Sequence, residues 1–261
     1  MRLHYELSGP ENAPVLVLGS SLGTTTALWE PQLPVLHEYF RVLRFDHRGH
    51  GGSPTATGPF TIDDLGDDVL ELADSLGVER FSYCGLSLGG MIGMWLAGHA
   101  PERVDRLALC CTTASFPAPG PWRDRAATVR ESGTAAIADV VVGRWFTHAL
   151  AEREPEVVQR FKDVLSGVDA ESYAGICDAL AVMDLRPVLP AIQASTVVIA
   201  AAQDEATPTE FLRVIADAIP DAELYVVGDA AHLANVEAAD AVSVILHGHL
   251  TTTRGSADVL R

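Results

Sequence analysis

Continuous apolar runs alternate with stretches of helical period along most of the chain. Leu3 to Leu7 predicts a first strand, and Gly9-Pro10-Glu11-Asn12 behind it is turn chemistry. Ala13 to Leu18 is apolar throughout, as a strand covered on both faces should be. Phe40 to Phe45, Val78 to Tyr83, Val104 to Cys111, Thr196 to Ala202 and Glu223 to Val227 predict the other strands. Between them, Trp29-Glu30-Pro31 predicts a short helix with Pro31 near its first position. Thr61 opens a longer helix, with Asp64 as its capping-box partner and Gly77 where the helix should stop. Thr207-Pro208-Thr209-Glu210 reads as N-cap, first-position proline and N3 glutamate. A helix from Asn235 to about His249 completes the pattern.

Strands alternating with helices predict an α/β fold, a mostly parallel central sheet with helices on both faces. The alternation stops after Thr112. From about Phe116 to Pro190 there are proline turns and amphipathic patterns, Val140 to His148 and Glu156 to Leu165 among them, and no strand pattern. The expected organisation is a core of residues 1–115 and 191–250, a helical lid insertion of residues 116–190, and a frayed tail of residues 251–261.

The chemistry gathers where strands end. Tyr83-Cys84-Gly85-Leu86-Ser87-Leu88-Gly89-Gly90 reads G-x-S-x-G between a strand run and an apolar helical run. A sharp strand-to-helix turn there strains the serine backbone and admits only small neighbours. It lifts the Ser87 hydroxyl clear of the sheet, facing helix N-terminal N–H groups. A serine hydroxyl needs a general base, and the base needs an orienting acid. His232 follows the last predicted strand, and Asp204 follows the strand before it. The chain order Ser87, Asp204, His232 is that of α/β-type serine hydrolases. Two backbone donors should face the developing oxyanion. Leu88 N–H is one, and the small-residue loop Gly19–Gly23 offers Ser21, with Leu22 as the alternative.

The 261 residues are 48% hydrophobic, enough for one large core. The formal net charge is −17, and Lys162 is the sole lysine. That charge argues against nucleic acid and anionic membranes as partners. It also means that an anionic substrate needs local arginines. No apolar run is long enough to span a bilayer and the N-terminus lacks a leader pattern, so a soluble cytoplasmic protein is expected. Cys84, Cys110, Cys111 and Cys177 show no C-x-x-C spacing and read as buried apolar residues. His47 and His50 in Asp46-His47-Arg48-Gly49-His50-Gly51 lack a third ligand, so no metal is expected; Asp46 and Arg48 should tie loops together. Gly85–Gly90 lacks the G-K-[ST] ending of a phosphate loop, and no dinucleotide fingerprint follows the first strands.

Leu18–Thr26, Asp46–Ser53, Gly85–Gly90, Asp204 and Asp229–His232 together resemble the α/β-hydrolase superfamily. Within it, Ser20-Ser21-Leu22-Gly23-Thr24-Thr25, Phe45 to Gly51, Tyr83 to Gly90, Gly143-Arg144-Trp145-Phe146-Thr147 and Ala230 to Glu237 are similar to the 3-oxoadipate enol-lactonases. Gly19-Ser20 departs from the His-Gly of most of the superfamily and fits that group. The resemblance implies hydrolysis of a small anionic enol-lactone to 3-oxoadipate, in aromatic catabolism through the β-ketoadipate pathway, without a cofactor. Arg144, beside Trp145, is the candidate to meet the substrate carboxylate; a plain surface arginine is the competing reading. Other carboxylesterases, cofactor-free perhydrolases and C–C bond hydrolases share the triad, and a non-enzymatic ligand receptor shares the fold. The sequence leaves the oligomeric state open.

Overall fold

Seven of the apolar runs become strands of one sheet, whose central strands are buried while the two edge strands stay partly exposed. In the computed structural model, which describes residues 2–252, these are β1 (Tyr5–Ser8), β2 (Val15–Gly19), β3 (Arg41–Phe45), β4 (Phe81–Leu86), β5 (Val104–Cys110), β6 (Ser195–Ala201) and β7 (Glu223–Val227). The sheet order is β1-β3-β2-β4-β5-β6-β7. Only β1 runs antiparallel, against β3; every other pairing is parallel. β4, at the centre, is buried at every position, as a strand flanked on both faces must be.

The helices before β6 are α1 (Leu33–Leu36), α2 (Ile62–Ser75), α3 (Leu88–His99), α4 (Gly120–Ser132), α5 (Ala138–Val142), α6 (His148–Arg153), α7 (Pro155–Ser166) and α8 (Ala170–Val182). After it come α9 (Thr209–Ala218), α10 (Ala234–Glu237) and α11 (Ala239–Thr251). The capping box of α2 forms as expected: Thr61 Oγ1 accepts the Asp64 N–H (3.2 Å) and Asp64 Oδ2 accepts the Thr61 N–H (2.8 Å). Residues 116–190 carry α4 to α8 and contribute nothing to the sheet beyond an isolated Ser115–Asp184 bridge. α8 docks on the loop after β3, where the Asp169 N–H donates to Gly49 O (3.0 Å) and Ser172 Oγ donates to Ala56 O (3.0 Å). Most of the predicted tail, from residue 253 on, lies outside the described residues.

Several boundaries differ from the sequence pattern, each for a tertiary reason. Pro31 falls inside a 3-10 helix, Thr26–Gln32, and Pro34 is the proline in the first turn of α1. Val78 and Glu79 stay out of β4 because their carbonyls accept from the Arg103 guanidinium (2.9 and 2.5 Å). Val140 to His148 is not one helix. It turns at Gly143, where Trp145 O accepts the Leu233 N–H (3.0 Å) and Thr147 caps α6. The last predicted helix is broken at Ala238, whose φ and ψ are −122° and 50°. Thr207 does not cap α9; Pro208 holds that position, and the Thr207 hydroxyl serves Asp204 instead.

Candidate active site

The turn from β4 into α3 puts Ser87 at φ 55° and ψ −113°, a conformation that costs about 1–3 kcal/mol unless its surroundings enforce it. They do. The Ser87 N–H donates to Cys110 O (2.9 Å), and Thr112 Oγ1 donates to Ser87 O (2.7 Å). A Cβ on Gly85 would overlap the Gly89 carbonyl, and one on Gly89 would overlap that of Gly19. The glycines of the motif are thus required by the close approach of β2, β4 and α3.

Asp204 follows β6 and His232 follows β7, and the folding of that edge brings them together. His232 Nδ1–H donates to Asp204 Oδ2 (2.8 Å), with both residues buried at 3% and 5% exposure. Asp204 also accepts the Ala206 N–H (2.8 Å), the Thr207 N–H (2.9 Å) and the Thr207 hydroxyl (2.7 Å). Burial alone would raise the Asp204 carboxyl. The His232 charge and hydrogen bond, with the Thr207 donors, outweigh it and hold the carboxyl below the usual range. With Nδ1–H committed to the carboxylate, Nε2 of His232 is left as the acceptor.

Ser87 and His232 line one cavity of about 190 Å³ with Ser21 and Leu22. A hydrogen bond between the Ser87 hydroxyl and the imidazole is not among those formed, a looseness common before substrate binds. In the loop after β2, neighbouring N–H groups are taken: Gly89 donates to Ser20 O, Gly23 to His50 Nε2 and Thr24 to Ser21 O. Those of Ser21, Leu22 and Leu88 have no protein acceptor among the described residues. The geometry therefore keeps both Ser21 and Leu22 as donors for an oxyanion beside Leu88.

Two buried histidines support that loop from below. His47 Nε2–H donates to Ser20 O (2.8 Å). His50 Nδ1–H donates to Arg48 O (2.8 Å), while its Nε2 accepts the Gly23 N–H (3.0 Å). Burial, then the neighbouring His47, pushes His50 down to about 3, so it stays neutral. Asp46 accepts the Thr26 N–H (2.8 Å) and the Gly52 N–H (3.0 Å), and Arg48 pairs with Asp68. These residues knit loops together, and no group of three or more metal-ligating side chains occurs among the described residues.

The helical segment supplies the other wall. Arg144 and Trp145 lie on it as expected, Arg144 exposed and Trp145 buried. Glu237 fastens this wall to the His232 loop, accepting from the Thr147 hydroxyl and from the Ala231 N–H (2.9 Å). Sequence reasoning missed three residues here: Thr207, Arg125 and Tyr173. Trp122 and Arg125 at i and i+3 are a stacking spacing, and the Arg125 guanidinium does lie over the Trp122 ring, 4.5 Å from its centre. Nothing local marks Tyr173, whose place depends on α8 packing against α4.

Residues 14–138 match the family model for the alpha/beta hydrolase fold. The 3-oxoadipate enol-lactonase 2 of Acinetobacter baylyi is 39% identical over 235 residues, 90% of this chain and 88% of its own. The chain belongs to the α/β-hydrolase family. The enol-lactonase from Burkholderia xenovorans LB400 superposes with a TM-score of 0.94 at 43% identity, covering 96% of each chain. A protein of Stutzerimonas stutzeri with the provisional name carbamate hydrolase RutD is 30% identical over 97% of this chain and 98% of its own. The expected fold class, a mostly parallel sheet flanked by helices, is that of this family.

Proposed function

We propose that the protein hydrolyses 3-oxoadipate enol-lactone to 3-oxoadipate through an acyl-enzyme on Ser87. One observation carries the mechanism: His232, bonded to a buried Asp204 that also accepts from Ala206 and Thr207, shares a small cavity with a backbone-strained serine. The resemblance to enol-lactonases over nine-tenths of the chain supports the substrate.

Ser87 Oγ attacks the lactone carbonyl as His232 Nε2 takes its proton, and Asp204 stabilises the imidazolium. The oxyanion is held by the N–H groups of Leu88 and Ser21, with Leu22 as the alternative to Ser21. The ring C–O bond breaks, and the enol oxygen takes the proton from His232. The enol becomes a ketone, which removes the leaving group from the reverse reaction. Water, deprotonated by His232, then attacks the acyl-enzyme and frees the carboxylate and Ser87. No step calls on a cofactor.

Residues 116–190 serve as the lid, and Arg144 and Trp145 form part of its inner face. A substrate that carries an acetate arm fits a cavity with arginines on one side. The four reduced, buried cysteines suit the cytoplasm, and no described helix is long and apolar enough to cross a membrane. The test is turnover of freshly generated enol-lactone beside a p-nitrophenyl ester and a small carbamate. Enol-lactone should have the highest kcat/KM by at least about 100-fold. A carbamate or simple ester turned over faster would refute the substrate assignment.

A further inference from the structure

Tyr173 is fully buried and lines the cavity, and its hydroxyl, beside the Arg125 guanidinium, makes no hydrogen bond of ordinary geometry. A buried hydroxyl left unpaired is costly, so a ligand that pairs it gains what the fold forgoes. Arg125 stands beside it. Burial pushes the Tyr173 phenol well up, and the Arg125 charge, with a hydrogen bond from the guanidinium, pulls the other way. The guanidinium is half-buried and held flat by Trp122. Some arginines of this segment have carboxylate partners, Arg130 with Glu171 (3.0 Å) and Asp178 (2.7 Å) and Arg153 with Glu154 (2.9 Å), whereas the exposed Arg123, Arg144 and Arg160 have none among the described residues. Arg125 has none among the described residues, although the whole chain is strongly acidic. Arg130 instead ties α4 to α8, fixing Arg125 against Tyr173.

We infer that Arg125 and the Tyr173 hydroxyl form the carboxylate subsite of this cavity, taking small lactones or esters that carry a free acid arm. The guanidinium supplies charge and a two-pronged donor, and the phenol supplies a third. Glu205 and Thr207 border the cavity on the side of Asp204, so an anion is turned away from there toward the helical wall. Arg144 is exposed and also borders a neighbouring cleft, which suits a lesser role at the entrance. The substrate named here rests on the hydrolytic reading above; the subsite itself is tested apart from it.

The probe is adipate, as an inhibitor of p-nitrophenyl acetate turnover, beside KM for the enol-lactone. Wild type should be inhibited competitively by adipate and not by dimethyl adipate. Arg125→Met should raise the adipate inhibition constant, and the ratio of enol-lactone KM to ester KM, by about 30-fold or more. Tyr173→Phe should raise both by a smaller factor, and Arg144→Ala by less than either. Should Arg125→Met fail to fold, Arg125→Lys keeps the charge without the fork and should still raise both. An unchanged ratio and inhibition constant in the Arg125 and Tyr173 variants would overturn the subsite. If wild type cleaves esters but not the enol-lactone, the lactonase reading falls; adipate inhibition lost in Arg125→Met would still uphold the subsite, and its persistence would overturn it.

Discussion

Around Asp204 every carboxylate lone-pair direction is met by a donor, whereas the α4–α8 wall of the same cavity leaves Arg125 without an acid among the described residues and Tyr173 with no neighbour but that guanidinium to serve its hydroxyl. On the sheet side the N–H groups of Ser21, Leu22 and Leu88 stay open for an oxyanion, while His232 and Asp204 are paired within the protein. Its strain at Ser87, its glycine contacts and its buried carboxylate are all balanced internally. The helical side holds a guanidinium and a phenol that an anionic ligand can satisfy. In the proposed mechanism one side makes and breaks bonds and the other chooses what reaches them. Variants on the sheet side should therefore change kcat for every substrate, and variants on the helical wall should change KM according to substrate charge.

Ser87→Ala should break the sheet side most severely. It should lower kcat at least about 10⁴-fold on anionic and neutral substrates alike, with the circular dichroism spectrum retained. A loss confined to the anionic substrate would erase the distinction between the two walls. Thr207→Val is milder. It removes one donor from Asp204 without changing the side chain's shape, costing about tenfold in kcat. The Asp204 carboxyl is held low in the folded protein, so its contribution is present at neutral pH and lost as pH falls through that lowered value. Losing a donor raises the carboxyl, so the acid limb of the stability profile, read by urea unfolding, should move to higher pH in Thr207→Val. A limb that stays put or moves down would contradict the assignment.

His50→Gln sharpens the comparison through stability. Folded His50 resists protonation down to about 3 against an ordinary 6.5, chiefly because it is buried and then because His47 lies beside it. The unfolded chain takes up that proton first, so the fold weakens as pH drops from 6.5 toward 3. The slope is up to about 1.4 kcal/mol per pH unit. Urea unfolding of His50→Gln at pH 7.5, 6, 5 and 4 should show a shallower decline than wild type. Parallel profiles would mean that His50 is not the buried neutral group supporting the Ser21 loop.

The sheet side was legible in the sequence because its requirements are local. Gly85, Ser87 and Gly89 sit within five residues, and Asp204 and His232 each follow an apolar strand run directly. The helical wall was not, because its order comes from contacts distant in sequence. Thr147 begins a helix where Glu237, 90 residues away, accepts its hydroxyl; Tyr173 reaches the cavity only because α8 lies on α4. Thr207 shows local reasoning misled. Its sequence makes a good N-cap, but a buried carboxylate three residues earlier competes for the same hydroxyl and wins. Arg144 was found by resemblance, while Arg125, better buried and stacked, carries no motif.

The most direct test of the account is mass analysis of the protein after treatment with a fluorophosphonate. The account predicts a single phosphonyl adduct on the peptide bearing Ser87, formed rapidly in wild type and in Arg125→Met and far more slowly in Asp204→Asn. Failure to label, or an adduct on another residue, would show that Ser87, His232 and Asp204 do not work as one catalytic unit.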